Sequence, residues 1–395
     1  MKLLLYSWQA NNEQILADNL INLGFEMVWF KKVCKHYTRD MELAAEMIPF
    51  IHKEGIEGVI SFNYFPIISM ICDTCKIPYY AWVYDCPHFT LYAKHVMLSC
   101  NHIGIFDKEM VRKLQGKGVK TVYHVPLSVD TEYFAKAIDT KADKEKYHCD
   151  ISFVGSFYTD EHNYYDRLFR NKMTGIDKAI QKQSFSYEKD YLREAVASGE
   201  VDLCLIQKKM EEQGLMLGDD YFANPEELLF ATVLEKKVTV EERRILLTEV
   251  AEKFGEKYRF CLYTGSDLKN LPQLQQYHKG VVDYHTQMPL IFAGSRINLN
   301  LSLRSIHSGI PLRVLDIMAC GGFVLSNWQP EIAEYFVENK EIVTFQSLEE
   351  CKEKMDYYLK YEQKRQKIAE AGQKMVREKF NYTSGLLKLF EIEGD

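Results

Sequence analysis

The chain lacks several features that would mark a class. Basic residues do not predominate: 49 Lys and Arg stand against 56 Asp and Glu, a formal net charge of −7. A general nucleic-acid binder carries a basic excess, so nucleic acid is not an expected partner. No apolar run is long enough for a membrane span. The most apolar stretch, Gly58 to Cys72, is interrupted by Ser61, Asn63, Pro66 and Ser69, whereas a helical span needs ~20 apolar residues. The opening MKLLLYSW has too short an apolar run for a signal peptide and no small-residue cleavage site after it, so it reads as a first strand. Paired cysteine motifs are scarce. Of ten cysteines only Cys72 and Cys75 lie close together, with no second pair to complete a zinc site. Such usage suits reduced thiols in a cytoplasmic protein. Repeats and low-complexity tracts are missing.

What is present is an ordinary folded composition, 47% hydrophobic and 27% charged. At ~100–200 residues per domain, 395 residues predict two domains. The first third alternates short apolar runs with helical spacing. Lys2–Ser7, Phe25–Phe30, Gly58–Phe62, Tyr79–Val83, Ile103–Phe106 and Thr121–His124 read as strands, separated by helices at Glu13–Leu23, Met41–Lys53, Ile67–Cys75 and Lys108–Gln115. Such alternation predicts an α/β, doubly wound parallel sheet. The charged stretch Asp130–Tyr147 reads as a connection. Strands are expected again at Asp150–Val154, Tyr258–Tyr263, Gly280–Asp283, Ile297–Ser302 and Phe323–Ser326, with a helical insertion at about 160–255. Ser347–Phe380 reads as two amphipathic helices. The expected division is 1–135 for a first Rossmann-like domain and 136–375 for a second. Residues 376–395 form a last helix that can pack back on the first domain through Met375, Val376 and Phe380 at its start.

The most informative segment is Arg296–Asn327. Ile297, Leu299, Leu301 and Leu303 alternate with polar residues as a strand does, and the loop Arg304–Ile310 leads to Pro311, which suits a first helical position. Gly321–Gly322 end that helix near Cys320. The first amides of a helix have no intrahelical partner and carry partial positive charge. In a doubly wound domain they sit at the ligand-binding edge of the sheet. Ser308 and Gly309 would allow close approach of a phosphate, with the amides from Gly309 through Ile310 to Leu312 as donors. Arg313 and Asp316 are the only charges in the helix and share one face. They read either as a local salt bridge or as a phosphate contact and a carboxylate for a ribose diol.

The segment SIHSGIPLRVLDIMACGGFVLSN resembles the donor-site segment of GT-B glycosyltransferases of the group 1 type, in particular the spore-maturation CgeB-like proteins. WVYDCPHFTLY, IFDKEMV and HVPLSVDTEYF resemble the domain that often precedes it, so the resemblance spans nearly the whole chain. It implies a GT-B fold: two Rossmann-like domains facing a cleft, acceptor on the first and donor on the second. Group 1 enzymes carry two glutamates with seven residues between them. The second, which contacts ribose, falls on Asp316, and the first falls on Ser308. Their Gly-Arg after the first strand of the second domain corresponds to Gly155–Ser156, without the arginine. Phosphate charge must then be met by Arg304, His307 or Arg313.

Further candidates follow from this frame. Tyr284 and main-chain groups at Val282 would flank a nucleotide base, or else cap and pack a helix start. Asp85 and His88, after the strand Tyr79–Val83, are candidates for proton transfer from an acceptor hydroxyl; a turn explains the same letters. Trp8, Asn11 and Asn12 would line the acceptor side. Asp219 and Asp220 are adjacent rather than spaced for a cation, so neither metal nor cofactor is expected. The implied activity is metal-independent transfer from a nucleotide diphosphate sugar, UDP-sugar first, to a glycan, glycolipid or glycoprotein hydroxyl. Two other activities fit the same fold: non-catalytic nucleotide or glycan binding, and nucleotide-sugar epimerisation.

Overall fold

In the computed structural model of the chain, the described residues are 1–139, 146–159, 163–169, 174–187, 189–214, 218–222 and 224–391. Six strands build the first sheet: β1 (Lys2–Ser7), β2 (Glu26–Lys31), β3 (Gly58–Phe62), β4 (Tyr79–Val83), β5 (Asn101–Ile105) and β6 (Val122–His124). Five build the second: β7 (Cys149–Val154), β8 (Phe260–Tyr263), β9 (Ser295–Asn300), β10 (Val324–Asn327) and β11 (Val343–Phe345). The orders are β2-β1-β3-β4-β5-β6 and β11-β10-β9-β7-β8. Every pairing is parallel. Strands buried on both faces need continuous apolar runs. Leu3, Leu4, Leu5 and Tyr6 of β1 are all fully buried.

Each order reverses once, between β1 and β3 in the first sheet and between β7 and β9 in the second. Loops leaving the strand ends diverge there and open a crevice, where open α/β sheets bind ligands. The loops after β1 and β3 carry Trp8–Asn12 and Asn63; those after β7 and β9 carry Gly155–Tyr158 and Leu301–Arg304.

Two predicted elements differ. The strand expected at Gly280–Asp283 is a loop: Gly280 takes φ +83 and Val281 is 76% exposed, so no sheet partner covers it. The stretch Asp130–Tyr147 opens with a helix, Thr131–Asp139, while 140–145 lie outside the described residues.

The described part of the insertion is helical and has its own apolar cluster, including Tyr165, Ile180, Ile206 and Phe230. A π-helical turn, Phe230–Leu234, leads into the long helix Glu235–Phe254. The insertion also grips the first domain. Tyr221 bridges Ala93, Asp220 accepts two hydrogen bonds of 2.9 Å from Arg39, and Lys117 pairs with Glu227 at 3.0 Å. Asp220 is therefore a docking contact. The last helix, Tyr382–Leu389, crosses to the first sheet, where Tyr382, Leu386 and Leu389 pack with Leu3, Leu5 and Trp82.

Candidate functional site

The loop before the helix Leu312–Ala319 meets the first domain rather than an open gap. Asp107 caps the helix Lys108–Gly116 through the Met110 amide at 3.0 Å. The same carboxylate accepts from the amides of His307 (2.7 Å), Ser308 (3.1 Å) and Gly309 (3.4 Å) and from Ser308 Oγ (3.0 Å). Burial alone would raise its pKa, but the amides of Met110 and Ser308 outweigh burial and hold it below the ordinary carboxylate value. Glu331 completes the contact: it accepts from Ser308 Oγ, from the Lys108 amide (2.8 Å) and bonds His124 (2.8 Å).

These contacts correct several expectations. Ser308 and Gly309 do not present free amides to a phosphate; Asp107 takes them. Gly309 is needed for a different close approach, because a Cβ there would lie 2.7 Å from the Phe106 ring. His307 lies between Lys113 at 2.9 Å and Glu235 at 3.1 Å. Burial works against charge on its imidazole, but Glu235 outweighs it and the pKa stands above the ordinary value. His307 is thus a tie between domains. Arg304 is also consumed: its Nε lies 3.0 Å from both Glu242 oxygens, its other nitrogens bond the Ser186 and Gln183 carbonyls, and its plane covers the Tyr187 ring at 3.9 Å. Neither side chain is left for a phosphate. Ile310 is buried in the core.

The helix start is different. Pro311 occupies the N-cap without a side-chain cap, and among the described residues the amides of Leu312 and Arg313 find no partner. One turn on, Asp316 is 1% exposed. It accepts from Tyr284 OH at 2.9 Å and from Arg313 at 3.2 Å. Burial, opposed by Arg313 and Tyr284, lifts its pKa to about 6. The local salt bridge therefore exists, and it lies near the cleft: next to Tyr284, His285 Nε2 faces the Asn11 carbonyl of the first domain at 3.3 Å. Val282 is half-buried against the same core.

Sequence reasoning missed Arg243. Read in a Lys/Glu-rich helix, it resembles a solvated charge, yet it is only 6% exposed. Its guanidinium bonds the carbonyls of Ser156 and Leu301, spanning the loops after β7 and β9 and so the crevice of the second sheet. Tyr158 lies under it at 4.7 Å, and its Nε has no partner. Burial and the nearby Arg313 help lower its pKa. Gly155 lies against it: a Cβ added at that glycine would stand 3.5 Å from the guanidinium. Gly155 and Arg243 thus meet at the end of β7.

In the first domain Asp85 is exposed at the end of β4 and accepts from Asn63 Nδ2 at 2.6 Å. The neighbouring Cys86 thiol bonds Ser305 O across the seam. His88 is held by the main chain: its Nε2 lies 3.2 Å and 3.1 Å from the Tyr64 amide and carbonyl. Burial lowers its pKa. Trp8 is structural in the same sense, donating to Phe62 O. Among the described residues no group of three His, Cys, Asp or Glu could hold a metal ion, and no helix is long and apolar enough to cross a membrane.

Residues 242–390 match a family model described as glycosyl transferase-like. No curated protein matches the chain. Among solved structures, a Rickettsia africae glycosyltransferase is 12% identical, with 99% of this chain and 97% of that one covered and a TM-score of 0.59. Sucrose-phosphate synthase from Thermosynechococcus elongatus is 10% identical over 99% and 98%, TM-score 0.58. Anabaena HepE, solved with UDP-glucose, is 9% identical over 99% and 98%, TM-score 0.56. The fold is GT-B: two Rossmann-like domains, each a parallel sheet, face each other along one seam.

Proposed function

We propose that this chain transfers a glycosyl group from a nucleotide diphosphate sugar to an acceptor hydroxyl. One observation carries the reading: Arg243 spans the crevice of the second sheet with an unpartnered Nε, beside Arg313 and the uncapped start of the helix that bears Asp316. Two cations that repel each other gain from a dianion between them. A pyrophosphate there takes the Arg243 Nε–H, the Arg313 guanidinium and the amides of Leu312 and Arg313. Asp316 already accepts from a hydroxyl, that of Tyr284, and a ribose hydroxyl exchanges with it. Tyr284 and the backbone at Val282 then border the base.

In the reaction the acceptor oxygen bonds to the anomeric carbon while the bond from that carbon to the diphosphate oxygen breaks. The electron pair leaves on the diphosphate, where the two arginines and helix amides stabilise it. Asp85, exposed and held by Asn63, receives the acceptor proton; His88 is not assigned this role. The reading assigns the leaving-group charge to these side chains without a metal or other cofactor. Solved HepE holds UDP-glucose, which supports UDP as the first donor to test. The CgeB-like subfamily, a hexosyl donor and a cytoplasmic setting for ten unbridged cysteines belong to the same reading.

The Asp107 contact favours a second reading, a nucleotide binder without turnover, because it fills the loop amides with a protein anion. Release of nucleotide from UDP-glucose, GDP-mannose and dTDP-glucose separates the two. Transfer predicts slow release from one donor, accelerated by acceptor and lost in Arg243→Met. Tight binding with no release from any donor would establish the second reading.

A further inference from the structure

The crevice of the second sheet lies at the carboxyl ends of its strands. The amino ends hold a separate cavity of about 500 Å³. His148 stands just before β7, Ser295 opens β9 and Phe323 stands just before β10, and all three line it. The opposite wall is the helix Glu362–Lys379, through Arg365 and Ala369. β9 has six residues, and a strand rises ~3.3 Å per residue, so roughly 20 Å of sheet separates this cavity from the donor crevice. Ligand pockets commonly measure ~300–1,000 Å³, so the volume suits a small metabolite.

Arg365 sets this cavity apart. Its side chain is only 5% exposed, and a buried arginine almost always has an acid beside it. Among the described residues no carboxylate forms an ion pair with it; Glu362 and Asp150 act on it only from a distance. Asp150 is already taken, by Arg296 at 2.7 Å and by the Arg259 amide at 2.8 Å. Arg365 Nη1 donates to the Tyr358 carbonyl at 2.6 Å, in the last turn of the helix Leu348–Lys360. Its Nε and Nη2 have no partner among the described residues, and unlike Arg243 Nε they are not sealed from solvent. These two nitrogens form one edge of the guanidinium, the edge that grips an oxyanion through two parallel bonds.

Arg296 adds a second cation to the lining. It pairs with Asp150 and also donates to the Leu359 carbonyl. After burial, its charge is the main cause that lowers the Arg365 pKa. Two cations that share one carboxylate gain from a further anion beside them. Much of the remaining polar lining is committed: Ser295 Oγ donates to the Ile291 carbonyl, Gln373 Nε2 to the Ala319 carbonyl and Gln366 Nε2 to Glu362. The free edge of Arg365 is thus the strongest unmet donor. Phe323, Ala293 and Ala369 supply apolar wall, and Glu370, exposed to solvent, is the one carboxylate among the described lining residues.

We propose that this cavity binds a small oxyanion, the phosphate or carboxylate group of a small metabolite, at a site separate from the nucleotide site. The proposal is independent of the glycosyl-transfer reading. The oxyanion lies on the Nε–Nη2 edge of Arg365, and the body of the molecule lies against Phe323 and Ala369. The test is calorimetric titration of methyl phosphate and, separately, of acetate into the full chain in a low-salt buffer without phosphate. At least one should bind, and binding of one alone names the head group. Arg365→Gln should weaken that binding at least about tenfold, the worth of one hydrogen bond to a charged group. Because this variant also loses the bond to Tyr358, urea unfolding must show it folded. Glu370→Gln, at an exposed position, tests the site without that risk and should tighten binding about two- to fivefold, the worth of an exposed charge pair. Binding should persist in Arg243→Met, which separates it from the nucleotide site. No heat from either anion, equal affinity in folded Arg365→Gln, no tightening in Glu370→Gln, or complete loss in folded Arg243→Met would each overturn the proposal.

Discussion

The two ends of the interdomain seam are built on opposite terms. At one end Asp107, Glu331, His307 and Ser308 satisfy each other across the domains, and hardly a donor is left over. At the other, Asn12 Oδ1, His285 Nδ1 and Tyr382 OH are buried without a hydrogen-bond partner. Satisfied buried networks rigidify a structure, whereas unsatisfied ones cost stability unless a ligand completes them. The first end therefore holds the domains in register, and the second does not. Arg243 is partly satisfied, with its Nε unpartnered, whereas both Asp316 oxygens accept from protein.

The comparison is broken most severely at Asp107. Asp107→Ala strands the amides of His307, Ser308 and Met110 and should cost about 3–5 kcal/mol, the range for breaking a buried charge contact. Urea unfolding measures it; a change below about 1 kcal/mol would mean the seam is not held there. Arg243→Met comes next, with nucleotide release falling about 10²–10³-fold, the usual loss for one donor to a developing anion. Because the methionine also loses two carbonyl bonds, urea unfolding of the same variant must show it folded.

Asp316 sharpens the comparison through pH. Its folded-state pKa of about 6 lies above the ordinary carboxylate value, so the stability that its protonation brings is full below about pH 4 and is lost as pH rises through 6. Nucleotide affinity should follow the other way, rising toward pH 7 as the ribose acceptor ionises. Asp316→Asn should weaken binding about tenfold at pH 7.5 and flatten that rise, as calorimetry at several pH values would show. The smallest effect belongs to Tyr382→Phe in the free protein. Removing an unpaired hydroxyl should leave the melting temperature unchanged or slightly raised; a drop of several degrees would mean the hydroxyl has a protein partner.

Most of the fold was legible in the sequence. Runs such as KLLLYS and YYAWV are buried strands because parallel sheets demand apolar residues on both faces. Val343–Phe345 escaped because three residues carry no period, and Gly280–Asp283 misled because an apolar pair looks the same in a loop. Asp316 and Arg313 were legible as two charges in an apolar helix. Arg304 and His307 were not, because the acids that take them, Glu242 and Glu235, are 62 and 72 residues away in sequence. Asp107 is 201 residues from the Ser308 amide it holds. Arg243 hid for a similar reason: only the fold turns one arginine of Glu241–Arg244 into a buried bridge between two strand ends.

Calorimetric titration of UDP into the wild-type chain and into folded Arg243→Met bears most directly on the arginine pair. If it grips a pyrophosphate, wild type binds UDP at least tenfold more tightly than the variant, and uridine binds both weakly. Equal affinity of the two proteins for UDP would show that the diphosphate lies elsewhere.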